Sequence, residues 1–304
     1  MLLSSGGFPV YRGEPAVFDL LGPKFGNLAH RSNRERLMEI WLRSSMYRIS
    51  HLEGEVIREK VVNHCHSAGD FLRLVMGEVA RLQGKSRWAV WGPDNLLYMR
   101  QIKNEIPDAL FIHMIRDGRD VAISMSKEGW IRPLPWDRKR NLVVAALHWR
   151  WKVTRGMEAG KTLGPDYLEI NFEKLISQPQ DAIAKISSFI RNDLDVAQIR
   201  ERCLGTMADP NTSFQEEGHS REFSPVERWR RLLSVAEQGA LESAIGPLLQ
   251  HLGYELAVQQ KDGVYLRNRI MHHLYPRYFD TKQWLKVNTI LGSLTSVDRM
   301  HLSQ

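Results

Sequence analysis

An apolar run that ends at an arginine constrains the fold of this 304-residue chain more than any other feature. Residues Ala109-Leu-Phe-Ile-His-Met-Ile115 have the length and composition of a buried strand, and Arg116-Asp-Gly-Arg-Asp-Val-Ala-Ile-Ser124 follows directly. The order predicts a strand, a tight turn and a helix whose second turn carries Ser124. Because open α/β sheets bind ligands at the carboxyl ends of their strands, Arg116 and Ser124 form a candidate phosphate site.

Two further segments predict that this strand belongs to a parallel sheet. Arg87-Trp-Ala-Val-Trp91 has the length of a short strand, and the helical segment from Asn95 to Glu105 separates it from the central strand. A long helix from Asp137 to about Met157 then precedes Tyr167-Leu-Glu-Ile-Asn171, which we predict as another buried strand. The expected fold class is α/β, with a short central parallel sheet flanked by helices.

Composition limits the class of protein. The chain has 43% hydrophobic and 25% charged residues, which is typical of a soluble globular protein. A net charge of +7 suits a nucleotide, a nucleic acid or an anionic membrane surface. Two distant cysteines, Cys65 and Cys203, form no disulfide framework, and the sequence shows neither a long apolar run nor an evident signal-peptide pattern. We therefore expect a cytoplasmic protein without a membrane span.

The Arg116–Ser124 segment resembles the 3′-phosphate-binding motif of the sulfotransferases, which use 3′-phosphoadenosine 5′-phosphosulfate (PAPS). The resemblance implies that Arg116 and Ser124 hold the 3′-phosphate, that the co-product is adenosine 3′,5′-bisphosphate and that no metal takes part. It also implies a fold similar to that of the P-loop nucleotide kinases. Two later segments extend the resemblance. Phe172-Glu-Lys-Leu175 is similar to the family's Y-E-D-L turn, with Phe in place of Tyr, and Leu252-Gly-Tyr254 is similar to its closing L-G-Y.

The matches span about residues 8 to 256, and they give the expected domains. Residues 1–256 form a sulfotransferase-like domain, and residues 257–304 form a basic, aromatic, helical tail that has no role in the resemblance. The family's 5′-phosphosulfate loop, of the R-S-G-T-T type, is absent, and residues 1–7 read like the end of the helix that follows it. We expect that Met1 is an internal start or a truncation; a divergent member that lost the loop is the alternative. The lysine of the family's W-x-x-K-T-P segment is absent as well.

The general base is predicted from the resemblance. In related enzymes a Glu after the first short strand takes the acceptor's proton, and Glu14 in Arg12-Gly-Glu-Pro15 occupies this place. A surface carboxylate without a catalytic role is the alternative. His64, His66 and His113 are rival bases, although we expect His113 to be a packed residue of the buried strand. His64-Cys65-His66 is not predicted to bind metal, because adjacent side chains diverge.

The motif's own turn and the late part of the chain give further candidates. Gly118 is expected to supply an unusual backbone conformation, Arg119 to face solvent or pair with an acid, and Asp120 to orient the turn by accepting from its amides. By the resemblance, Arg221 reaches a phosphate and Trp229 packs at the adenine. A structural role for both is the alternative, since tryptophan is more often a core residue.

The predicted function is transfer of a sulfuryl group from PAPS to a hydroxyl or amine of a small-molecule, carbohydrate or peptide acceptor. Two alternatives belong to other classes of protein. One is a catalytically impaired, nucleotide-binding pseudoenzyme that keeps the 3′-phosphate site. The other is a basic nucleic-acid-binding protein that uses the +7 charge, although nucleic acid is not our expected partner. The acceptor cannot be deduced from the sequence.

Overall fold

Helices build most of the fold in the part of the chain that the computed structural model describes, which is residues 2–129, 131, 133–138, 141–202, 224–257 and 266–295. The helices are α1 (Gly22–Phe25), α2 (Arg31–Trp41), α3 (Ser45–Arg48), α4 (Gly54–His64), α5 (Ala68–Leu82), α6 (Met99–Glu105), α7 (Gly118–Glu128), α8 (Leu142–Leu163), α9 (Phe172–Ser177), α10 (Pro179–Ile190), α11 (Val196–Arg202), α12 (Arg228–Leu232), α13 (Val235–His251) and α14 (Leu266–Asn288). Short 3₁₀ turns lie at Leu2–Ser5, Pro93–Leu97, Gly164–Asp166 and Ile290–Leu294, and a π-helical turn lies at Val17–Leu21.

The sheet consists of two parallel strands within these residues. Strand β1 (Phe111–Ile115) pairs with β2 (Tyr167–Asn171), and Ile115 lies opposite Asn171 at the carboxyl end. Both strands were predicted, and the α/β class with a short parallel sheet is confirmed. Because the two strands end level with each other, the residues that follow them leave the same edge of the sheet side by side. This edge positions the candidate site.

The predicted strand at Arg87–Trp91 does not form in the described residues. The segment carries no strand hydrogen bonding, and it is tied instead by the Arg87 guanidinium, which donates to the carbonyl of Ile190 at 2.6 Å. A strand requires a neighbouring strand to satisfy its amides and carbonyls, and none of the described residues supplies one here. The helix predicted after it is a 3₁₀ turn followed by the short α6.

Apolar side chains cover the sheet on both faces. On one face Ile115 packs in a cluster with residues of α7, α8, α13 and α14. On the other face Ile170 packs against Ile183 and Ile186 of α10. A separate cluster lies at the amino-terminal end of the chain, where Trp41 of α2 meets Phe71 of α5 edge-on at 5.6 Å between ring centroids.

Helix α8 packs closely on the two-stranded sheet because two of its glycines face the strands. A Cβ at Gly156 would come within 2.9 Å of the His113 ring, and one at Gly160 within 2.3 Å of the Tyr167 ring. The helix begins at Leu142, later than the predicted Asp137. The Asn141 side chain caps it by accepting from the third backbone amide of the helix at 3.1 Å.

The carboxyl-terminal helix α14 docks on α8 through polar contacts. Asp280 accepts from the Arg155 guanidinium and from Trp151 Nε1, each at 2.8 Å, and Arg150 donates to the carbonyl of His272 at 3.0 Å. A helix was predicted in this tail. None of the described helices combines the length and the apolar character that crossing a bilayer requires.

Candidate functional site

Arg116 leaves the sheet edge directly after β1 and is the first residue of the site. Its guanidinium lies 4.9 Å from the centroid of the Phe172 ring, which leaves the same edge after β2. It donates to the carbonyl of Pro225 and forms an ion pair with Asp120 at 3.7 Å. Burial, and secondarily the charge of Arg228, lower the pKa of Arg116, while Asp120 opposes this effect. The arginine therefore lies in a partly desolvated corner where a second arginine, Arg228, and the carboxylates of Asp120, Glu173 and Asp117 all act on its charge.

Asp117, and not Asp120, accepts a hydrogen bond from a backbone amide of the turn. The Asp117 carboxylate caps α7 by accepting from the Arg119 backbone amide at 2.8 Å. Asp120 instead accepts at 2.9 Å from the amide of Trp229, a residue 109 positions later, so its predicted role within the turn is wrong. Burial raises the pKa of Asp120 to about 6, although Arg116, this amide and Arg228 lower it.

Ser124 lies one helical turn beyond Asp120 and shares its face of α7, because residues four apart on a helix are neighbours. The Ser124 Oγ is buried, and it has no hydrogen-bond partner among the residues that the structure describes. A buried hydroxyl without a partner costs about 1–3 kcal/mol. A phosphate oxygen would satisfy this hydroxyl.

Arg228 is a residue of the site that the sequence analysis did not single out. It is only 3% exposed at the start of α12. Its charge acts on both Arg116 and Asp120, lowering the pKa of each. Two arginines that share a buried corner repel one another and attract an anion. The signal in the sequence was the Arg228-Trp-Arg-Arg run, but its arginines could not be sorted into buried and exposed without the fold.

Arg119 is buried at 2% exposure and pairs with two acids, which agrees with one of the two expectations for it. Its Nη2 contacts Asp117 at 2.8 Å, and its Nη1 contacts Glu242 of α13 at 2.6 Å and the carbonyl of Glu255 at 2.9 Å. The guanidinium also lies 3.6 Å from the centroid of the Trp229 ring. The motif's second arginine thus joins α7 to α12 and α13.

The two late candidates have different outcomes. Arg221 lies outside the described residues. Trp229 is 1% exposed, and the guanidinium groups of Arg119 and Arg230 lie 3.6 and 4.5 Å from its ring centroid. Its Nε1 is buried without a hydrogen-bond partner in the described part of the chain. The ring therefore packs within the protein here, and its contact with adenine stays a prediction that requires the ring to be uncovered.

Glu14 lies beside the turn that follows residues 87–91. A Cβ placed on Gly92 would come within 3.3 Å of Glu14 Oε1 and 3.2 Å of Asn95 Nδ2. The side chain is half-buried. The structure thus places the predicted base at a turn that the sequence did not connect with it. The role of Glu14 as a base stays a prediction.

The rival histidines occupy structural or exposed positions. His113 is 3% exposed within β1, and its Nδ1 lies 2.6 Å from the Tyr167 hydroxyl, as expected for a packed residue. Burial lowers the pKa of His113 to about 4. His64 and His66 are exposed on either side of Cys65, which is buried with its thiol directed to the Ser67 carbonyl at 3.3 Å. Cys65 is therefore buried while both histidines are exposed.

The sequence of the chain matches the model of the sulfotransferase family over residues 12–195, which is more than half of its length. The chain therefore belongs to the sulfotransferase family. Membership implies a PAPS-dependent transferase, and the family predicted from the Arg116–Ser124 motif is confirmed.

The fold has a counterpart among solved structures. The chain is similar to a structure described as the sulfotransferase domain from the curacin biosynthetic pathway, with a TM-score of 0.52 and 10% sequence identity. The match covers 84% of this chain and 92% of that domain. At this identity the likeness concerns the fold alone. No curated protein matches the chain.

Proposed function

We propose that this chain binds PAPS through a 3′-phosphate site formed by Arg116, Ser124 and Arg228, and transfers the sulfuryl group to a hydroxyl or amine acceptor. The observation that carries the proposal is a set of buried donors without partners among the described residues. These are Ser124 Oγ on α7, which begins two residues after Arg116, and Trp229 Nε1 on α12, next to Arg228. Unsatisfied buried donors beside like charges are the arrangement that a phosphate dianion would complete.

The charge balance of the corner supports the same ligand. Asp120 forms an ion pair with Arg116 at 3.7 Å, and burial raises its pKa to about 6, so it is a poorly stabilised counter-ion. A phosphate has more acceptor oxygens than a carboxylate and suits the planar donor fork of arginine. A 3′-phosphate near Arg116 and Arg228 would relieve their repulsion better than Asp120 does.

The chemistry requires one proton acceptor and a fixed nucleotide. PAPS supplies the sulfuryl group, which moves to the acceptor atom as the bond from sulfur to the 5′-phosphate oxygen breaks. Glu14 is our candidate for the group that takes the proton from the acceptor hydroxyl or amine. Arg116 and Ser124 would hold adenosine 3′,5′-bisphosphate before and after transfer. The acceptor is left open, since nothing in the described site selects among phenols, sugars and amines.

Calorimetric titration with adenosine 3′,5′-bisphosphate tests the proposal. We expect Arg116→Ala to weaken binding about ten- to a hundredfold, because a charged hydrogen bond contributes about 1.5–3 kcal/mol. The matched control is Arg31→Ala, which removes an exposed arginine that forms an ion pair with Glu35 at 2.9 Å. Equal binding by wild type and Arg116→Ala would refute the assignment.

The same titration separates the two alternative classes. A pseudoenzyme would bind the nucleotide but transfer no labelled sulfuryl group from PAPS to a panel of phenol, sugar and amine acceptors. A nucleic-acid-binding protein would bind an oligonucleotide with a steep salt dependence, and Arg116→Ala would not change that binding.

A further inference from the structure

Three consecutive residues, the last of β2 and the first two of α9, support the turn that carries Arg116. Because Ile115 pairs with Asn171, the chain after β2 runs beside the chain after β1. Phe172 places its ring beneath the Arg116 guanidinium, as described above. Glu173 then accepts a hydrogen bond through Oε1 from the backbone amide of Asp117 at 2.9 Å. The peptide that joins Arg116 to Asp117 is thereby tied to the first turn of α9, which follows β2 directly.

The Glu173 carboxylate has a second contact that holds it in place. The Tyr254 hydroxyl donates to Glu173 Oε2 at 2.7 Å, and Asn171 Nδ2 donates to the same hydroxyl at 3.0 Å. Burial, and secondarily the hydrogen bond to Glu173, raise the pKa of Tyr254, so the hydroxyl stays protonated and keeps donating. Phe172 brings no hydroxyl to this turn, and Tyr254, 81 residues after Glu173, supplies one from the end of the α13 segment.

We infer that Glu173, held by Tyr254, is a positioning residue for the 3′-phosphate site. The inference rests on the proposed function, since it concerns the same phosphate. The hydrogen bond at Asp117 fixes the orientation of the peptide after Arg116 and therefore the direction in which the Arg116 side chain leaves the strand. A guanidinium that is aimed in advance loses less freedom when it binds a planar set of phosphate oxygens. Glu173 itself does not contact the ligand.

The test compares two nucleotides that differ only in the 3′-phosphate. Adenosine 3′,5′-bisphosphate and adenosine 5′-monophosphate are titrated into each full-length variant. The Kd of the monophosphate divided by the Kd of the bisphosphate measures what the 3′-phosphate contributes to binding. We expect Tyr254→Phe to reduce this ratio about threefold and Glu173→Ala about tenfold, the range that one lost hydrogen bond spans. Glu173→Gln keeps an oxygen that can accept from Asp117, so we expect it to retain most of the ratio.

The strand β2 also provides a matched control. Tyr167 donates from its hydroxyl to Glu169 Oε1 at 2.8 Å, which is the same kind of pair at the other end of the strand. We expect Tyr167→Phe to lower the Tm without changing the ratio of Kd values. A purely structural role for Tyr254 would give the same result in Tyr254→Phe, and that result would overturn the inference.

The outcomes also separate this inference from the proposed function. If the wild type prefers the bisphosphate and Tyr254→Phe and Glu173→Ala keep that preference, the proposed function stands and the positioning role is refuted. If the wild type shows no preference for the bisphosphate, the proposed function fails, and the positioning role fails with it. If Glu173→Ala does not fold, the conservative Tyr254→Phe decides the question.

Discussion

Replacing Asp120 with asparagine should change how the stability of this protein depends on pH. The carboxylate is fully buried, and its Oδ1 accepts from the Trp229 amide while its Oδ2 faces Arg116 at 3.7 Å. Burial outweighs these contacts and raises the pKa of Asp120 from the ordinary 3.8 to about 6. The ionised form is therefore less stable in the folded protein than in the unfolded chain. An asparagine side chain at this position would keep the acceptor oxygen and remove the charge.

The sign and the size follow from proton linkage. A raised pKa means that the folded state binds the proton more tightly, so stability from this group is present below pH 3.8 and is lost as the pH rises through 6. The gap between 3.8 and about 6 corresponds to about 3 kcal/mol at about 1.36 kcal/mol for each pKa unit. The unfolding free energy of Asp120→Asn minus that of wild type should therefore be about 2 kcal/mol larger at pH 7 than at pH 4.5.

Urea unfolding of wild type and Asp120→Asn between pH 4.5 and pH 7 measures the effect. The difference between their free energies of unfolding cancels the contributions of groups that titrate in both proteins. Buffers without phosphate or sulfate are needed, because either anion would occupy the proposed site and stabilise the folded state. A constant difference, or an advantage of Asp120→Asn that grows towards low pH, would refute the reasoning. It would mean that Arg116 and Arg228 outweigh burial and that the carboxylate is a stabilising counter-ion.

Two further outcomes follow from packing and burial. Gly118→Ala should lower the unfolding free energy by about 1–3 kcal/mol, because its Cβ would lie 2.5 Å from the Trp149 ring. Gly77→Ala, where nothing lies within 4 Å of the new Cβ, should be neutral or stabilising in the same urea titration, and equal losses would contradict this account. Burial lowers the pKa of His113 to about 4 and of His148 to about 3, so these groups stabilise the fold above pH 6.5 and lose that effect as the pH falls. In the Asp120→Asn background, each of these two histidines should lower the free energy of unfolding by about 2 kcal/mol between pH 7 and pH 5. A urea midpoint that does not change between these pH values would contradict this expectation.

The elements with the strongest local patterns could be predicted from the sequence. The apolar runs that became β1 and β2 were recognised because strand length and flanking turns were both present. Arg116 and Ser124 were recognised because the turn and the helix follow the strand directly. Arg87–Trp91 has the same local pattern, but it lacks a hydrogen-bonding neighbour in the described residues, and a local pattern contains no information about neighbours.

The contacts that complete the site join distant parts of the chain, and the sequence could not reveal them. Glu173 reaches Asp117 because of the register between the two strands, and Tyr254 reaches Glu173 only after α13 has folded back. The sequence indicated that Gly118 matters for the turn, but the expected reason, an unusual backbone conformation, was wrong. The backbone there is helical, and the Trp149 ring leaves no room for a side chain.

The two arginines of the motif show why residue type alone could not assign their roles. Arg119 faces two carboxylates, Asp117 and Glu242, as well as a backbone carbonyl, so its charge is balanced and its removal would take a cation away from two buried acids.

Arg116, three residues earlier, shares its corner with the like charge of Arg228 and pairs at 3.7 Å with Asp120, whose pKa burial raises to about 6. The fold places a second arginine, Arg228, where its charge acts on Arg116, and it places the Ser124 hydroxyl, which has no hydrogen-bond partner in the described residues, on the same face of α7 as Asp120. This arrangement costs stability in the free protein, and binding of an anion is the event that would recover it.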